Sequence, residues 1–245
     1  RIVQMLNEKE KLSHDDFIKM QTDHTSIISQ EHLPTIIDIL DTAENLNEEE
    51  AMALNILKDW DHTYSKESIA STIFEYFFQN LGPTIVRDEI PAEIFEEILH
   101  KRLFFNYLID NIIKTGNSIL CDDINTEEIE NYEDMVIKTF KNSIIQFEDV
   151  YEKKITETEW GSVHKVYIEH PIGKNKLMDF VFNLNRVYSV GGSYHTVSPY
   201  SYTFNTDFSA RHGASHRHIY DLGDFNKSLT IIPTGVSGIP GSDHY

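Results

Sequence analysis

The chain has 245 residues, and its 40 acidic against 21 basic side chains give a formal net charge of −19. That balance argues against nucleic acid or an anionic membrane surface as a partner, because both are held by clustered Lys and Arg. A hydrophobic fraction of 40% with 11% aromatics excludes a disordered chain and is enough to bury a core. Cys121 stands alone, so no intrachain disulfide, Cys-based zinc site or redox pair is available. No apolar run reaches the ~18 residues of a membrane helix. Arg1 opens directly into apolar-periodic sequence (Ile2, Val3, Met5, Leu6) and Tyr245 follows a turn-rich stretch, so the chain is expected to be part of a longer protein.

Residues 1–150 read as successive helices. Ser13 or Asp15 caps a helix whose apolar positions Phe17, Met20, His24, Ile27 and Ile28 recur at helical spacing. Pro34 stands near the start of the next, which carries Ile36, Ile37, Ile39 and Leu40. Glu48–Glu50 place negative charge on the first turn of a third helix, where the helix dipole favours it. Ser65 or Ser68 opens a strongly apolar helix that Gly82-Pro83 is expected to end. Further helices are expected over Pro91–Lys114 and Thr126–Val150.

After Trp160 the period changes to two. Residues 163–170 alternate as a strand, and strand-like runs follow at Asp179–Asn183, Arg186–Val190, Tyr194–Val197, His216–Asp221 and Ser228–Ile232. A mainly helical region (1–150) followed by a mainly β region (151–245) predicts an α+β fold with antiparallel strands.

Candidate chemistry starts with histidine. His212, His216 and His218 lie close in sequence, the last two on one strand face, and with Asp221 or Asp224 they form a candidate transition-metal set. The competing reading is a loop-to-strand junction of ordinary hydrogen-bonded imidazoles. Glu48–Glu50, Asp122-Asp123 and Glu127-Glu128 fit solvated helix starts and loops. Gly191-Gly192-Ser193 has no helix behind it, so a turn or bulge is expected in preference to a phosphate cradle. No Gly-x-Ser-x-Gly occurs.

Several ordered blocks together resemble the penicillin amidase (penicillin acylase) family of N-terminal nucleophile hydrolases. They are Arg1–Leu6, Leu12–Phe17, Gln21-Thr22-Asp23 with Ser26, Trp60-Asp61 with Ser68-Ile69-Ala70, and Trp160–His164 with Glu169–Gly173. Ser189–Val197, Ala214–Leu222, Pro233–Gly238 and Ser242–Tyr245 complete the series. His216 and His218 stand where the family varies, and Val236 where Gln is frequent, which bears on substrate preference and not on the fold.

The resemblance implies the C-terminal part of the large chain of a self-cleaving precursor, with a four-layer αββα fold. It implies hydrolysis of linear amides of N-acyl compounds, penicillin-type or N-acyl-homoserine lactone, by an N-terminal Ser whose α-amine acts as base. That Ser and the oxyanion-hole Asn are expected upstream of Arg1, so no catalytic residue is assigned here. Arg1 itself falls near the family's active-site arginine, and the fragment alone is expected to be inactive. The matching positions Gln21, Asp23, Trp160, Gly161, His164, His170, Pro171, Gly191, Arg217, Asp221, Gly235, Ser237, Gly238, His244 and Tyr245 are expected to be structural. No cofactor or metal is expected, the family's calcium site lying outside these residues. The implied partners are the rest of the precursor (small chain and N-terminal part of the large chain) and a small N-acyl amide, and the family suggests an extracytoplasmic site. The alternative is a non-catalytic acidic binding or scaffold domain of the same fold.

Overall fold

The computed structural model describes all residues except 117, 183–184, 205–206, 234, 236, 238, 240–241 and 244–245, with backbone alone at 171, 172 and 182. Eight helices fill the first 151 residues: α1 (Ile2–Leu6), α2 (His14–Gln21), α3 (Ile27–Asp41), α4 (Glu48–Lys58), α5 (Ile69–Val86), α6 (Ala92–Ile98), α7 (Arg102–Thr115) and α8 (Tyr132–Tyr151). The later part adds α9 (Trp160–Val163), α10 (Lys176–Phe182) and six short strands: β1 (Lys165–Ile168), β2 (Arg186–Ser189), β3 (Tyr200–Ser201), β4 (His212–Gly213), β5 (Arg217–Ile219) and β6 (Leu229–Ile231). They pair antiparallel as β1–β2, β3–β4 and β5–β6, with Lys165 opposite Ser189 and Arg217 opposite Ile231. The fold is thus α+β, as its composition pattern predicts, with paired strands in place of a continuous sheet.

Local chemistry explains the helix starts. Ser13 and Asp16, Asn47 and Glu50, and Asn131 and Asp134 each form a reciprocal capping box that satisfies backbone N–H groups at an N-terminus. Ser26 and Ser68 cap α3 and α5. α5 is apolar on every side and occupies the centre, between α4, α7 and α8. Phe74, Phe77, Phe105, Phe140, Phe147, Trp160 and Phe208 are fully buried in one continuous core that also takes in Cys121. Each such side chain contributes about 1.5–3 kcal/mol by leaving water.

Several expected boundaries move. The first apolar-periodic helix stops at Gln21, because Asp23 takes the Thr25 N–H and Ser26 caps a new helix at Ile27; Pro34 therefore lies inside α3. α5 runs through Gly82-Pro83 to Val86. Asn80 Nδ2 donates to the Tyr76 carbonyl and Thr84 Oγ1 to that of Asn80 around the proline, while Gly82 lets the Phe105 ring approach so closely that a Cβ there would lie 2.7 Å from it. The 91–114 helix is two, broken at residues 99–101. α8 begins at Tyr132, since Asp122, Asp123, Thr126 and Glu130 fold the preceding segment into a bonded loop.

The remaining differences lie in the β region. Residues 179–182, expected as strand, belong to α10, whose first turn is capped by the Asn175 side chain; residue 183 is outside the described residues. Tyr194–Val197 is a turn closed by Thr196 Oγ1, which accepts from the Ser193 N–H and donates to backbone carbonyls. Among the described residues, no helix is long and apolar enough to cross a membrane.

Candidate functional site

Glu75 is the single charged side chain of the 18-residue helix α5, and it is 2% exposed. A lone carboxylate in that setting must be hydrogen-bonded to remain ionised. Its Oε1 accepts from Ser193 Oγ at 3.0 Å and from the Tyr202 hydroxyl; its Oε2 accepts from His195 Nε2 at 3.1 Å and from the Tyr64 hydroxyl. Two donors per oxygen fill the carboxylate's acceptor sites. Burial alone would raise the Glu75 pKa, but His195 and the hydroxyl donors outweigh it and hold the group below its ordinary value. Burial beside that carboxylate pushes Tyr64 and Tyr202 well above 10, so both stay protonated donors.

Tyr64 lies 11 residues before Glu75, but the other three donors arrive from 118 to 127 residues further on, and the chain around them is arranged to bring them in. Gly191 passes so close to Tyr64 that a Cβ would sit 2.6 Å from its carbonyl oxygen and 2.7 Å from His24 Nδ1. Gly192, at φ +75°, turns the backbone where any side chain would be strained. Its carbonyl accepts from Trp160 Nε1 at 2.8 Å and its N–H donates to the Tyr64 carbonyl at 2.7 Å. His164 stacks on Trp160 and bonds through Nδ1 to the Phe208 carbonyl at 2.6 Å. Burial holds the imidazoles of His164 and His24 below their ordinary pKa.

Six of the sequence-matched positions converge on this cluster, His164 among them through its stack on Trp160. Trp160 and Gly191 touch it directly. Gly161 N–H donates to the Lys66 carbonyl at 2.7 Å, with a Cβ position only 2.7 Å from Lys66 Cβ. Asp23 receives the Ser198 N–H on its carbonyl, and Arg217 Nη2 donates to Ser198 Oγ at 3.0 Å. Arg1 meets Asp23 as a two-pronged pair, Nε to Oδ1 at 3.2 Å and Nη2 to Oδ2 at 3.0 Å, so its guanidinium anchors α1 on the turn before α3.

The others lie elsewhere. Gln21 Nε2 donates to the His218 carbonyl at 3.0 Å, on the rim of a 390 Å³ cleft between α2 and the β5–β6 pair. The His170 N–H donates to Asn185, Pro171 opens a 3₁₀ turn, and Asp221 accepts the N–H groups of Gly223 and Asp224. Gly235 sits at φ +75° and Ser237 Oγ accepts the Ile239 N–H. Gly238, His244 and Tyr245 lie outside the described residues. The His216 and His218 rings pack tilted at 5.0 Å between centroids and His216 Nε2 bonds Thr230 Oγ1, while His212 is on a different strand pair. Among the described residues, no three His, Cys, Asp or Glu side chains are placed to hold a metal.

Chemically, the Glu75 cluster is a clamp. Ser193 and His195 both direct their protons to the carboxylate, so the imidazole does not serve the serine as a base, and Ser193 is fully buried. Sequence reasoning missed Glu75, Tyr64, Tyr202, Ser193 and His195. The available signal was one acidic residue inside the most apolar run of the chain.

The amino-acid sequence matches a known family model, Penicillin amidase, along residues 1–245. The chain belongs to the penicillin amidase family. It is similar to the acyl-homoserine lactone acylase QuiP of Pseudomonas putida, 23% identical over 193 residues, which is 77% of this chain and 23% of that protein. It is also similar to the penicillin acylase 2 proenzyme of Pseudomonas sp. (strain SE83), 29% identical over 94 residues, 38% of this chain and 12% of that one. This penicillin amidase-family chain therefore spans at most about a quarter of the curated relatives it matches.

Proposed function

We propose that this chain is one section of an amidohydrolase that cleaves linear amide bonds of N-acyl compounds, penicillin-type or N-acyl-homoserine lactone. The observation that carries the reading is the family match along residues 1–245, joined by relatives named as acylases and, in one case, as a proenzyme. In this reading a self-cleaved precursor exposes a Ser outside these residues. Its α-amine accepts the hydroxyl proton as Oγ attacks the amide carbon. Fixed donors hold the oxyanion, the amine leaves carrying a proton, and water then hydrolyses the acyl-enzyme to the acid. This section supplies backing and no reacting group, and is inactive alone.

Its strand pairs join a four-layer αββα assembly. A two-stranded pair is marginal by itself, and Phe180, Leu222, Phe225 and Ile231 stand more than 60% exposed on or beside these pairs. Apolar surface of that kind is what the remainder of the precursor would cover. The test is intact mass and amide hydrolysis by the full-length protein, using chromogenic acyl amides of graded chain length. Two chains, a new N-terminal Ser and turnover are expected. An uncleaved, inactive product overturns the reading in favour of a non-catalytic scaffold of the same family.

A further inference from the structure

The β5–β6 pair carries two histidines that the Glu75 clamp does not use. His216 stands immediately before β5 and His218 lies within it, so the two side chains fall on one face of the strand. Both are exposed, and their rings lie 5.0 Å apart between centroids, tilted by 44°. With metal–nitrogen bonds of about 2.0–2.1 Å, the centre of a bound imidazole lies about 3.2 Å from the ion, so rings on neighbouring tetrahedral or square positions stand about 4.5–5.2 Å apart. The observed separation falls in that range.

The surrounding bonds hold the pair ready. Thr230 lies opposite His218 in the strand register, and His216 Nε2 bonds its hydroxyl oxygen at 2.6 Å. With Nε2–H donating to Thr230 Oγ1, the His216 Nδ1 keeps a free lone pair, and metal-bound imidazoles carry this kind of outward bond on their other nitrogen. His218 is backed by the Tyr220 ring at 4.8 Å, and its carbonyl accepts from Gln21 Nε2 on α2. Arg217, on the opposite strand face, is tied to Ser198. Among the described residues, no third His, Cys, Asp or Glu completes a metal set, so the other coordination positions fall to water. Imidazole donors suit Zn(II), Ni(II) and Cu(II), whereas Mg(II) and Ca(II) take oxygen ligands. A net charge of −19 favours a cation over an anion at such a surface.

We infer that His216 and His218 form an open, two-imidazole site for a borderline divalent transition ion, its remaining positions filled by water. This site is narrower than the three-histidine set that the sequence suggests, because His212 lies on the β3–β4 pair. The inference stands whether or not the protein hydrolyses amides. The test is calorimetric titration of the untagged full-length protein with Ni(II) chloride at pH 7.5. His216→Ala and His218→Ala are each expected to weaken Ni(II) binding at least tenfold, and His212→Ala to leave it within twofold. Equimolar Mg(II) is not expected to displace the ion. All three positions are exposed, so each variant is expected to keep the parent's urea midpoint without metal. Ni(II) is expected to raise the midpoint of the parent more than that of either site variant. No Ni(II) binding below about 1 mM, as when the rest of the protein covers this face, would overturn the inference. So would an affinity unchanged in either site variant, an equal loss in His212→Ala, or displacement by equimolar Mg(II).

Discussion

Replacing Glu75 separates a clamp from a spectator. In Glu75→Leu, the hydroxyls of Tyr64, Tyr202 and Ser193 and the His195 N–H lose their acceptor while still buried. Each orphaned donor costs about 1–3 kcal/mol, so the four together cost about 4–12 kcal/mol, or about 2–6 kcal/mol if half of them find new partners. That is a large share of the 5–15 kcal/mol typical of a folded domain. Glu75→Gln keeps the shape, and the hydroxyls can rotate to accept from the new amide, so its expected cost is about 1–3 kcal/mol. The assay is urea unfolding followed by tryptophan fluorescence. Trp160 lies 5.7 Å from Tyr64 between ring centroids and Trp60 lies 5.3 Å from it, so both report on the cluster. A Glu75→Leu variant within 1 kcal/mol of the parent would refute the clamp.

Gly191→Ala is expected to destabilise by more than about 1 kcal/mol, because the added methyl meets the Tyr64 carbonyl, which cannot swing aside; an unchanged urea midpoint would refute the contact. Gly82→Ala gains up to about 1 kcal/mol of helix propensity but drives a methyl into the Phe105 ring, so a net loss is expected, and a rise in Tm would show that the ring yields. Burial holds the imidazoles of His24, His32, His62 and His164 below their ordinary value. Below about pH 6.5 the unfolded chain therefore binds protons that the folded chain refuses, and stability falls with pH. Glu75, lowered in the folded state, adds a further loss only below about pH 4.3. Urea midpoints at pH 7.5, 6.0 and 5.0 check the histidines and a further point at about pH 3.5 checks Glu75; a midpoint that rises from 7.5 to 6.0 would contradict the histidine assignment.

Much of the helical half was legible because its signals are local. Ser13, Glu48–Glu50 and Ser68 mark helix starts through bonds that span three or four residues. The stops were harder. Gly82-Pro83 reads as a terminator, yet α5 runs on to Val86, with the Asn80 and Thr84 side chains bonded to the Tyr76 and Asn80 carbonyls on either side of the proline. The strand expected at 179–182 is helix instead: Phe180 and Val181 carry β-like apolar character, while the cap at Asn175 commits the segment to α10. The family blocks found the aromatic and glycine frame around the clamp, Trp160, Gly161 and Gly191. One of them contains Ser193 and His195, but nothing in it points to Glu75, since pairing a carboxylate with side chains 118 to 127 residues away leaves no mark in spacing.

Those same separations set an order of events during synthesis. At the ribosome's ~5–20 residues per second, the segment bearing Ser193, His195 and Tyr202 appears roughly 6–25 seconds after Glu75. Through that interval α5 carries a carboxylate whose final shell is one quarter made, with Tyr64 alone of the four donors already on hand. The nascent helical half must therefore keep this stretch open to water and close it only when the later turn arrives, which makes the sealing of Glu75 a late step by timing alone.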